Sequence, residues 1–346
     1  MKKIYFGLIL FGFFVACKKE KFSTVTSPPP QPTSVVPHYG MPHPRSAQPR
    51  LTNPEYIDSL LFVIKNGYQL QTTDSAAVFS STDSHIIMSS KGLITRLTSA
   101  EVVPIVITWS NPKFAPTTIY ALGATDDNQD YPFKHYQGAL ATDPFASYLM
   151  GWKTLQRLPV ANETYAIVLR HADASCGADN PYSLVKNWWK LPDSAYARQL
   201  NQQGFVRATA LGQIFKDLQY PITRVYTSEF NRARQTAQLM NMGPVPIIDS
   251  TINHPTHNNY LPGLFTGMTG ILKKLPADNQ MTLIVAHHPI NELQGCTGFP
   301  SFPSVSPFNW TGAYLIKIDA GGQLTCEGSV SWGMFKWWHD LKIHGQ

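Results

Sequence analysis

From about residue 163 onward, the sequence alternates between short apolar runs and longer stretches in which apolar residues recur with helical spacing. The short runs are continuously apolar, which is typical of strands buried on both faces of a parallel sheet. A hairpin across Asp319-Ala320-Gly321-Gly322 closes the pattern. The alternation predicts an α/β fold with a mainly parallel sheet and helices on both faces. The predicted strands are residues 165–169, 222–226, 281–286, 314–318 and 324–330, and the predicted helices are residues 204–218 and 230–240.

Basic and imidazole side chains follow three of these predicted strands. The first strand runs into Arg170 and His171, and the third runs into His287. The second passes through Ser228, a predicted helix N-cap, into a helix that carries Arg232. Ligands of open α/β sheets bind at the carboxyl ends of the strands, so these side chains are expected to converge there. Their charge predicts a pocket for an anion such as phosphate.

These segments resemble the signatures of the histidine phosphatase superfamily, in its phosphoglycerate-mutase-like branch 1. Leu169-Arg170-His171-Ala172 is similar to the Arg-His-Gly signature, with Ala172 in place of the usual Gly. Residues 228–237 are similar to the second signature, and Val285-Ala286-His287 to the strand that ends in the second catalytic His. Residues 197–204 match the opening of the first helix. The resemblance extends over about residues 163–335 and assigns residues 159–346 to a histidine phosphatase domain.

The resemblance implies a phosphatase that hydrolyses phosphate monoesters of small molecules. His171 is expected to attack phosphorus as a neutral imidazole and form a phosphohistidine intermediate. Arg170 and Arg232 are expected to bind the phosphoryl oxygens, and His287 to donate to the same oxygens. No metal or other cofactor is implied, because these four side chains supply the positive field that a metal would provide.

The proton donor is where the sequence departs from the family. His254 stands where many members have a Glu, and His288 stands where another branch has an Asp. His254 and His288 are therefore the candidate general acids, with Asp249 and Asp173 as further possibilities. The missing carboxylate leaves open an alternative function, a catalytically weak protein on the same fold that binds a phosphate ligand. It also disfavours a phosphoglycerate mutase.

Histidines near this region permit one further alternative, a metal site. His254 and His257 flank Pro255 and Thr256, and in this alternative they join His287 and His288 around a metal ion. No carboxylate completes such a set, and no cysteine spacing typical of a structural zinc site is present. We therefore predict no metal.

The N-terminus predicts export and a lipid anchor. Lys2 and Lys3 precede an apolar run over residues 4–16, which is too short for a permanent membrane span and typical of a signal peptide. The run ends in Ala16-Cys17, which resembles the lipobox of bacterial lipoproteins, where Cys17 would be diacylated. An ordinary signal peptide with a chance Cys is the alternative. We expect a membrane-anchored lipoprotein on the periplasmic or cell-surface side of the outer membrane.

Two further regions lie between this signal and the phosphatase domain. Residues 18–50 are rich in Pro, Ser, Thr and Gln and predict a disordered linker. Residues 51–158 predict an α+β region without a chemical motif. In it, Asn53-Pro54-Glu55 indicates the start of a helix that ends at Gly67. β-rich runs follow over residues 77–79, 85–88, 102–109 and 118–122.

Charge and cysteine content add two expectations. The net charge of +6 is modest, and no basic stripe is interleaved with aromatic residues, so nucleic-acid binding is not indicated. If Cys17 carries lipid, then Cys176, Cys296 and Cys326 allow one disulfide and one leftover thiol. Cys296 with Cys326 is the suggested pair, because both lie in the same C-terminal stretch.

Overall fold

The computed structural model describes residues 48–63, 67–97, 101–123, 144–180, 183–253, 266–287, 296–297 and 310–344. None of the helices in these ranges is long and apolar enough to cross a membrane. The described strands are β1 Tyr56–Ile57, β2 Leu60–Val63, β3 Tyr68–Gln69, β4 Val78–Ser80, β5 Ile86–Met88, β6 Leu93–Leu97, β7 Val102–Thr108, β8 Thr117–Gly123, β9 Thr164–Arg170, β10 Ile222–Thr227, β11 Ile247–Ile248, β12 Met281–Ala286, β13 Cys296–Thr297, β14 Ala313–Ile318 and β15 Leu324–Val330. The described helices are α1 Pro144–Leu155, α2 Gln202–Asp217, α3 Asn231–Met240, α4 Thr266–Lys274 and α5 Trp332–His344.

Seven of the described strands form the central sheet, in the order β11-β10-β12-β9-β14-β15-β13. Strands β11, β10, β12 and β9 run parallel to one another, whereas β14 runs antiparallel to β9 and forms the predicted hairpin with β15. Strands β9 and β12 are buried along almost their whole length, as their continuous apolar runs predict. The predicted mainly parallel α/β sheet is confirmed.

Helices cover both faces of this sheet, because alternate side chains of each strand point to opposite sides. Tyr165, Ile167 and Leu169 of β9 pack in one buried cluster with residues of α1, α2, α3 and α5. Ala166 and Val168 of the same strand pack in a second cluster with residues of α4. The two faces of the sheet therefore have separate cores.

The N-terminal region consists of two small sheets around a third buried cluster. Their strand orders are β1-β2-β8-β7-β4 and β3-β6-β5. The helix that the sequence analysis predicts from Asn53 to Gly67 is wrong. Asp58 and Ser59 have φ angles of 50° and 68°, so they form a turn that joins β1 to β2. All four residues of Leu60–Val63 are buried, and β2 pairs in parallel with β8, so sheet formation overrides the helical spacing.

The N-terminal sheets share a core with the central sheet. Leu60, Phe62 and Leu122 belong to the same buried cluster as the helices on the first face. Helix α1, which the sequence analysis did not predict, packs its Trp152 into that cluster and lies against β15. The described residues from 48 onward belong to one compact unit. The core therefore continues across residues 158 and 159, and the assignment of separate domains stays a prediction.

Several predicted features lie outside the described residues. The signal peptide, Cys17 and residues 18–47 of the linker are among them, as are His254, His257 and His288. The side chain of Cys296 is likewise not described, although its strand β13 pairs with β15 close to Cys326. The suggested bridge between these two cysteines stays a prediction.

Candidate active site

The register of the central sheet places His171 and His287 side by side. Arg170 on β9 pairs with Ala286 on β12, so the residue that follows each of them lies at the same level. The backbone N–H of His171 donates to the Ala286 carbonyl at 2.9 Å. The two imidazole rings are 5.1 Å apart between centroids and are both almost fully buried. The sequence prediction that these two histidines converge is therefore correct in the structure.

The hydrogen bonds of His171 define its tautomer. Its Nδ1 lies 2.8 Å from the Ala172 carbonyl, which can only accept, so Nδ1 carries the proton. Its Nε2 is then unprotonated and accepts from the Arg232 Nε at 3.2 Å. Burial lowers the pKa of His171 well below its usual 6.5, and the charges of Arg232 and Arg170 lower it further. His171 is therefore a neutral imidazole with a lone pair directed toward a guanidinium.

Arg232 is fully buried in the first turn of α3. Its guanidinium lies over the Phe230 ring, 4.5 Å from the centroid. Its Nη1 and Nη2 donate to the two carboxylate oxygens of Asp179 at 2.9 and 3.2 Å. Burial lowers the pKa of Arg232 to about 10 against the opposing effect of Asp179, so the group is charged at neutral pH. The guanidinium thus presents one edge to His171 and another to an anion.

Ser228 holds His287 rather than capping a helix. Its backbone N–H donates to the Val285 carbonyl at 3.3 Å, which extends the pairing of β10 with β12 as far as Ser228. The Ser228 Oγ is consequently 2.6 Å from the Nε2 of His287. Helix α3 begins at Asn231 with Phe230 in the N-cap position. The prediction that Ser228 is the N-cap is therefore wrong, because the strand continues further than the sequence pattern indicates.

Arg170 completes the set of predicted residues. It is partly buried, and its guanidinium lies over the Trp310 ring, 5.3 Å from the centroid. Its charge acts on both His171 and Arg232. The four side chains predicted from the sequence are thus near one another at the carboxyl ends of the parallel strands.

Two charged residues at the site were missed by the sequence analysis. Asp179 binds Arg232, and it also accepts from the backbone N–H and the Nε of Arg198 at 3.0 and 3.4 Å. Arg198 lies close enough for its charge to lower the pKa of His171. Both residues belong to the long connection between β9 and α2. Arg198 lies in the segment 197–204 that resembles the family, but the sequence analysis assigned it no role, and Asp179 lies outside the quoted signatures. Only the antiparallel return of that connection, at Cys176 and Gln199, brings Asp179 against Arg198.

The two aspartates considered as proton donors have other partners. Asp173 accepts from the Arg207 Nη1 at 2.9 Å, and both side chains are buried. Asp249 accepts from the Thr251 backbone N–H at 2.8 Å and caps a short 3₁₀ turn. Within the described ranges, no group of three or more His, Cys, Asp or Glu side chains is arranged to hold a metal ion. The candidate acids His254 and His288 lie outside those ranges.

The geometry describes a buried site for an anion beside a nucleophile. A neutral imidazole presents its lone pair next to a guanidinium, and two further arginines surround the same position. A carboxylate already occupies the forked edge of Arg232, which shows that this edge binds a two-oxygen anion. The fold and the site together define an α/β protein with a histidine–arginine anion site at its strand ends.

Comparison with known proteins agrees with this description. Residues 190–251 match the family model for the histidine phosphatase superfamily (branch 1), a segment that contains Ser228 and Arg232. The resemblance to this superfamily is confirmed. No curated protein sequence matches the chain.

Several solved protein structures align with about half of this chain. The protein histidine phosphatase SixA complexed with tungstate is 18% identical, with 49% of this chain and 97% of that chain covered and a TM-score of 0.35. Phosphoglycerate mutase from Plasmodium falciparum is 14% identical, with 47% of this chain and 88% of that chain covered and a TM-score of 0.32. Mycobacterial glucosyl-3-phosphoglycerate phosphatase is 10% identical, with 49% of this chain and 98% of that chain covered and a TM-score of 0.35.

Proposed function

We propose that this protein is a phosphatase that hydrolyses phosphate monoesters of small molecules through a phosphohistidine intermediate on His171. The observation that carries the proposal is the neutral Nε2 of His171, 3.2 Å from the Nε of the buried Arg232. A nucleophile and a cation for the phosphoryl oxygens are thereby held together before any substrate binds. The match to the histidine phosphatase superfamily supports phosphatase-type activity.

The site supplies each part of such a reaction from its own side chains. The Nε2 lone pair of His171 attacks phosphorus, and its Nδ1–H keeps the ring oriented through Ala172. Arg232, Arg170 and His287 stabilise the charge on the phosphoryl oxygens in the transition state. Water then attacks the phosphohistidine and releases phosphate. The low pKa of His171 keeps the nucleophile unprotonated at and somewhat below neutral pH.

The proposal is tested with the purified chain and p-nitrophenyl phosphate. We expect release of p-nitrophenolate without added metal, because the site relies on guanidinium and imidazole groups. Mixtures of enzyme and ³²P-labelled substrate that are quenched with alkaline detergent should contain a protein-bound phosphate that is stable to base and labile to acid, as a phosphohistidine is. Tight binding of phosphate without any turnover would contradict the proposal and support the phosphate-binding alternative.

We also propose that the protein is exported and anchored to a membrane through a lipid on Cys17. The support is the sequence of residues 1–17, in which a basic start and an apolar run precede Ala16-Cys17. Incorporation of a labelled fatty acid into the wild-type chain, and none into Cys17→Ser, is the expected result. Recovery of the wild-type chain entirely in the aqueous fraction of a detergent phase separation argues against the anchor.

A further inference from the structure

We propose that Asp179 is the residue that protonates the leaving oxygen of the substrate once the phosphoryl group has displaced it from Arg232. The inference rests on the proposed phosphatase function and assigns the proton donor that the sequence does not identify. Asp179 is the described carboxylate that contacts the phosphate-binding guanidinium, through both of its oxygens.

The position of Asp179 relative to Arg232 agrees with this role. The Nε edge of the guanidinium faces the nucleophile His171, and the Nη1 and Nη2 edge faces Asp179. The two side chains therefore lie at different edges of one planar group. A phosphoryl group attacked by His171 carries its leaving oxygen on the side away from the attacking nitrogen. The proposal places the departing oxygen at the Nη1 and Nη2 edge of Arg232, beside the carboxyl group of Asp179.

The chain around Asp179 keeps its carboxyl group at the site after the phosphoryl group has displaced it from Arg232. The connection folds back on itself, with Cys176 bridged to Gln199 and the Asn180 backbone N–H donating to the Tyr196 carbonyl at 2.8 Å. The Arg198 backbone N–H donates to Oδ1 of Asp179 at 3.0 Å, a bond that does not depend on Arg232. Oδ1 therefore stays anchored. Oδ2 loses the Nη2 of Arg232 and keeps the longer contact to the Arg198 Nε at 3.4 Å, so it is the oxygen that can carry a proton.

The charges at the site make the protonation of Asp179 depend on the substrate. Burial raises the pKa of this carboxyl group, and the charge of Arg232, the Arg198 backbone N–H and the charge of Arg198 together hold it below its usual range. A bound phosphoryl dianion replaces Asp179 as the partner of Arg232 and adds negative charge near the carboxyl group. Burial persists, so the pKa of Asp179 rises when the substrate binds. The carboxylate is thus ionised in the empty site and becomes an acid in the occupied one.

The resulting step is balanced. The His171 Nε2 forms a bond to phosphorus while the bond from phosphorus to the leaving oxygen breaks. The Oδ2 proton of Asp179 passes to that oxygen, and the alcohol departs. Asp179 is then a carboxylate that accepts a proton from the water molecule attacking the phosphohistidine, which regenerates the acid and frees phosphate.

Other described carboxylates near the signatures are held elsewhere. Glu229 accepts from the Lys190 Nζ at 2.6 Å, from the Trp189 Nε1 at 3.1 Å and from the Asn253 Nδ2 at 3.0 Å. Asp173 is bound to the buried Arg207. These partners stay in place when a phosphoryl group enters, whereas the partner of Asp179 is the group that the substrate itself requires.

The test compares two leaving groups in Asp179→Asn. p-Nitrophenolate is a good leaving group that departs without a proton, so kcat for p-nitrophenyl phosphate is expected to stay within a few-fold of wild type. An alkyl phosphate such as glycerol 2-phosphate needs protonation, and its kcat is expected to fall by about 10²-fold or more. Inorganic phosphate should bind the variant as tightly as wild type or more tightly, because a competing carboxylate has been removed.

Each outcome bears on the assignment. Asp278→Asn is the matched control, since it removes an exposed carboxylate paired with Arg224 at the other end of the sheet, and it should not change the ratio of the two rates. An equal loss for both substrates in Asp179→Asn, or no loss for either, overturns the assignment while the phosphatase function stands. If wild type hydrolyses neither substrate, the phosphatase function itself fails, and this inference fails with it.

A measurement on wild type keeps the proposal testable if Asp179→Asn does not fold. With a general acid present, kcat/KM across a series of aryl and alkyl phosphates should depend only weakly on the pKa of the leaving group. A steep dependence means that no proton is donated to the leaving oxygen, and the assignment is then wrong.

Discussion

His171→Asn is expected to lower kcat for p-nitrophenyl phosphate by at least about 10³-fold, because the reaction loses its nucleophile. Asparagine is the informative replacement. Its side-chain amide can keep the hydrogen bond that the Nδ1 of His171 makes to the Ala172 carbonyl, and it places no nitrogen at the Nε2 position beside Arg232. Steady-state kinetics should show the loss, and the acid-labile ³²P label should disappear from the protein.

Two controls separate this chemical effect from a loss of folding. His85→Asn changes an exposed histidine in the N-terminal sheets and should leave kcat unchanged. Inorganic phosphate should still bind His171→Asn, because Arg232 and Arg170 remain. Full activity of His171→Asn, or a phosphohistidine that persists in it, would show that another residue is the nucleophile.

Gly151→Ala is expected to reduce the free energy of unfolding by about 3 kcal/mol. A Cβ at Gly151 would lie 1.9 Å from the carbonyl oxygen of Ser329, because α1 and β15 approach backbone to backbone. The clash forces the helix away from the strand and disrupts the packing of Tyr148 and Trp152, which are at most 1% exposed. The loss greatly exceeds the small gain that Ala brings to a helix. Denaturant unfolding followed by tryptophan fluorescence measures it.

Gly270→Ala in α4 is the matched control for this prediction. A Cβ at Gly270 has no heavy atom within 4 Å outside its chain neighbours and the backbone of its own helix, so the helix can accept it without movement. We expect this substitution to raise the free energy of unfolding by roughly 0.5 to 1 kcal/mol. If Gly151→Ala is as stable as wild type, then α1 does not lie against β15 as closely as the structure indicates.

The central sheet was predictable because the local sequence of its strands indicates their structure. Strands buried on both faces require continuous apolar runs, and residues 165–169 and 281–286 match β9 Thr164–Arg170 and β12 Met281–Ala286. Helix α1 was not predictable in this way. Its Gly151 lowers helix propensity, and its side chains on two sides are buried, so helical periodicity is weak.

The predicted helix after Asn53 failed for a related reason. Tyr56, Ile57, Leu60 and Leu61 have helical spacing. Leu60 and Leu61 also begin a run of four apolar residues, Leu60–Val63, that a strand can bury completely. Whether such a run becomes a strand depends on a partner. Here the partner is β8, about sixty residues further along the chain, with Leu60 paired to Tyr120. Local spacing carries no information about a contact at that separation.

The residues of the site also fall into those that the sequence predicted and those that it did not. His171, Arg170 and His287 were recognisable in the sequence because each adjoins the end of a predicted strand, and Arg232 because it opens the helix that follows one. Parallel strands bring such ends together, whatever the conformation of the loops. Asp179 and Arg198 were not recognisable, because they lie in a connection without periodicity, and only its antiparallel return places them beside Arg232. The nucleophile and the phosphate-binding groups therefore follow from local pattern and sheet geometry. The carboxylate that competes for Arg232 was decided by the tertiary structure, because loop contacts depend on pairings that short-range sequence does not encode.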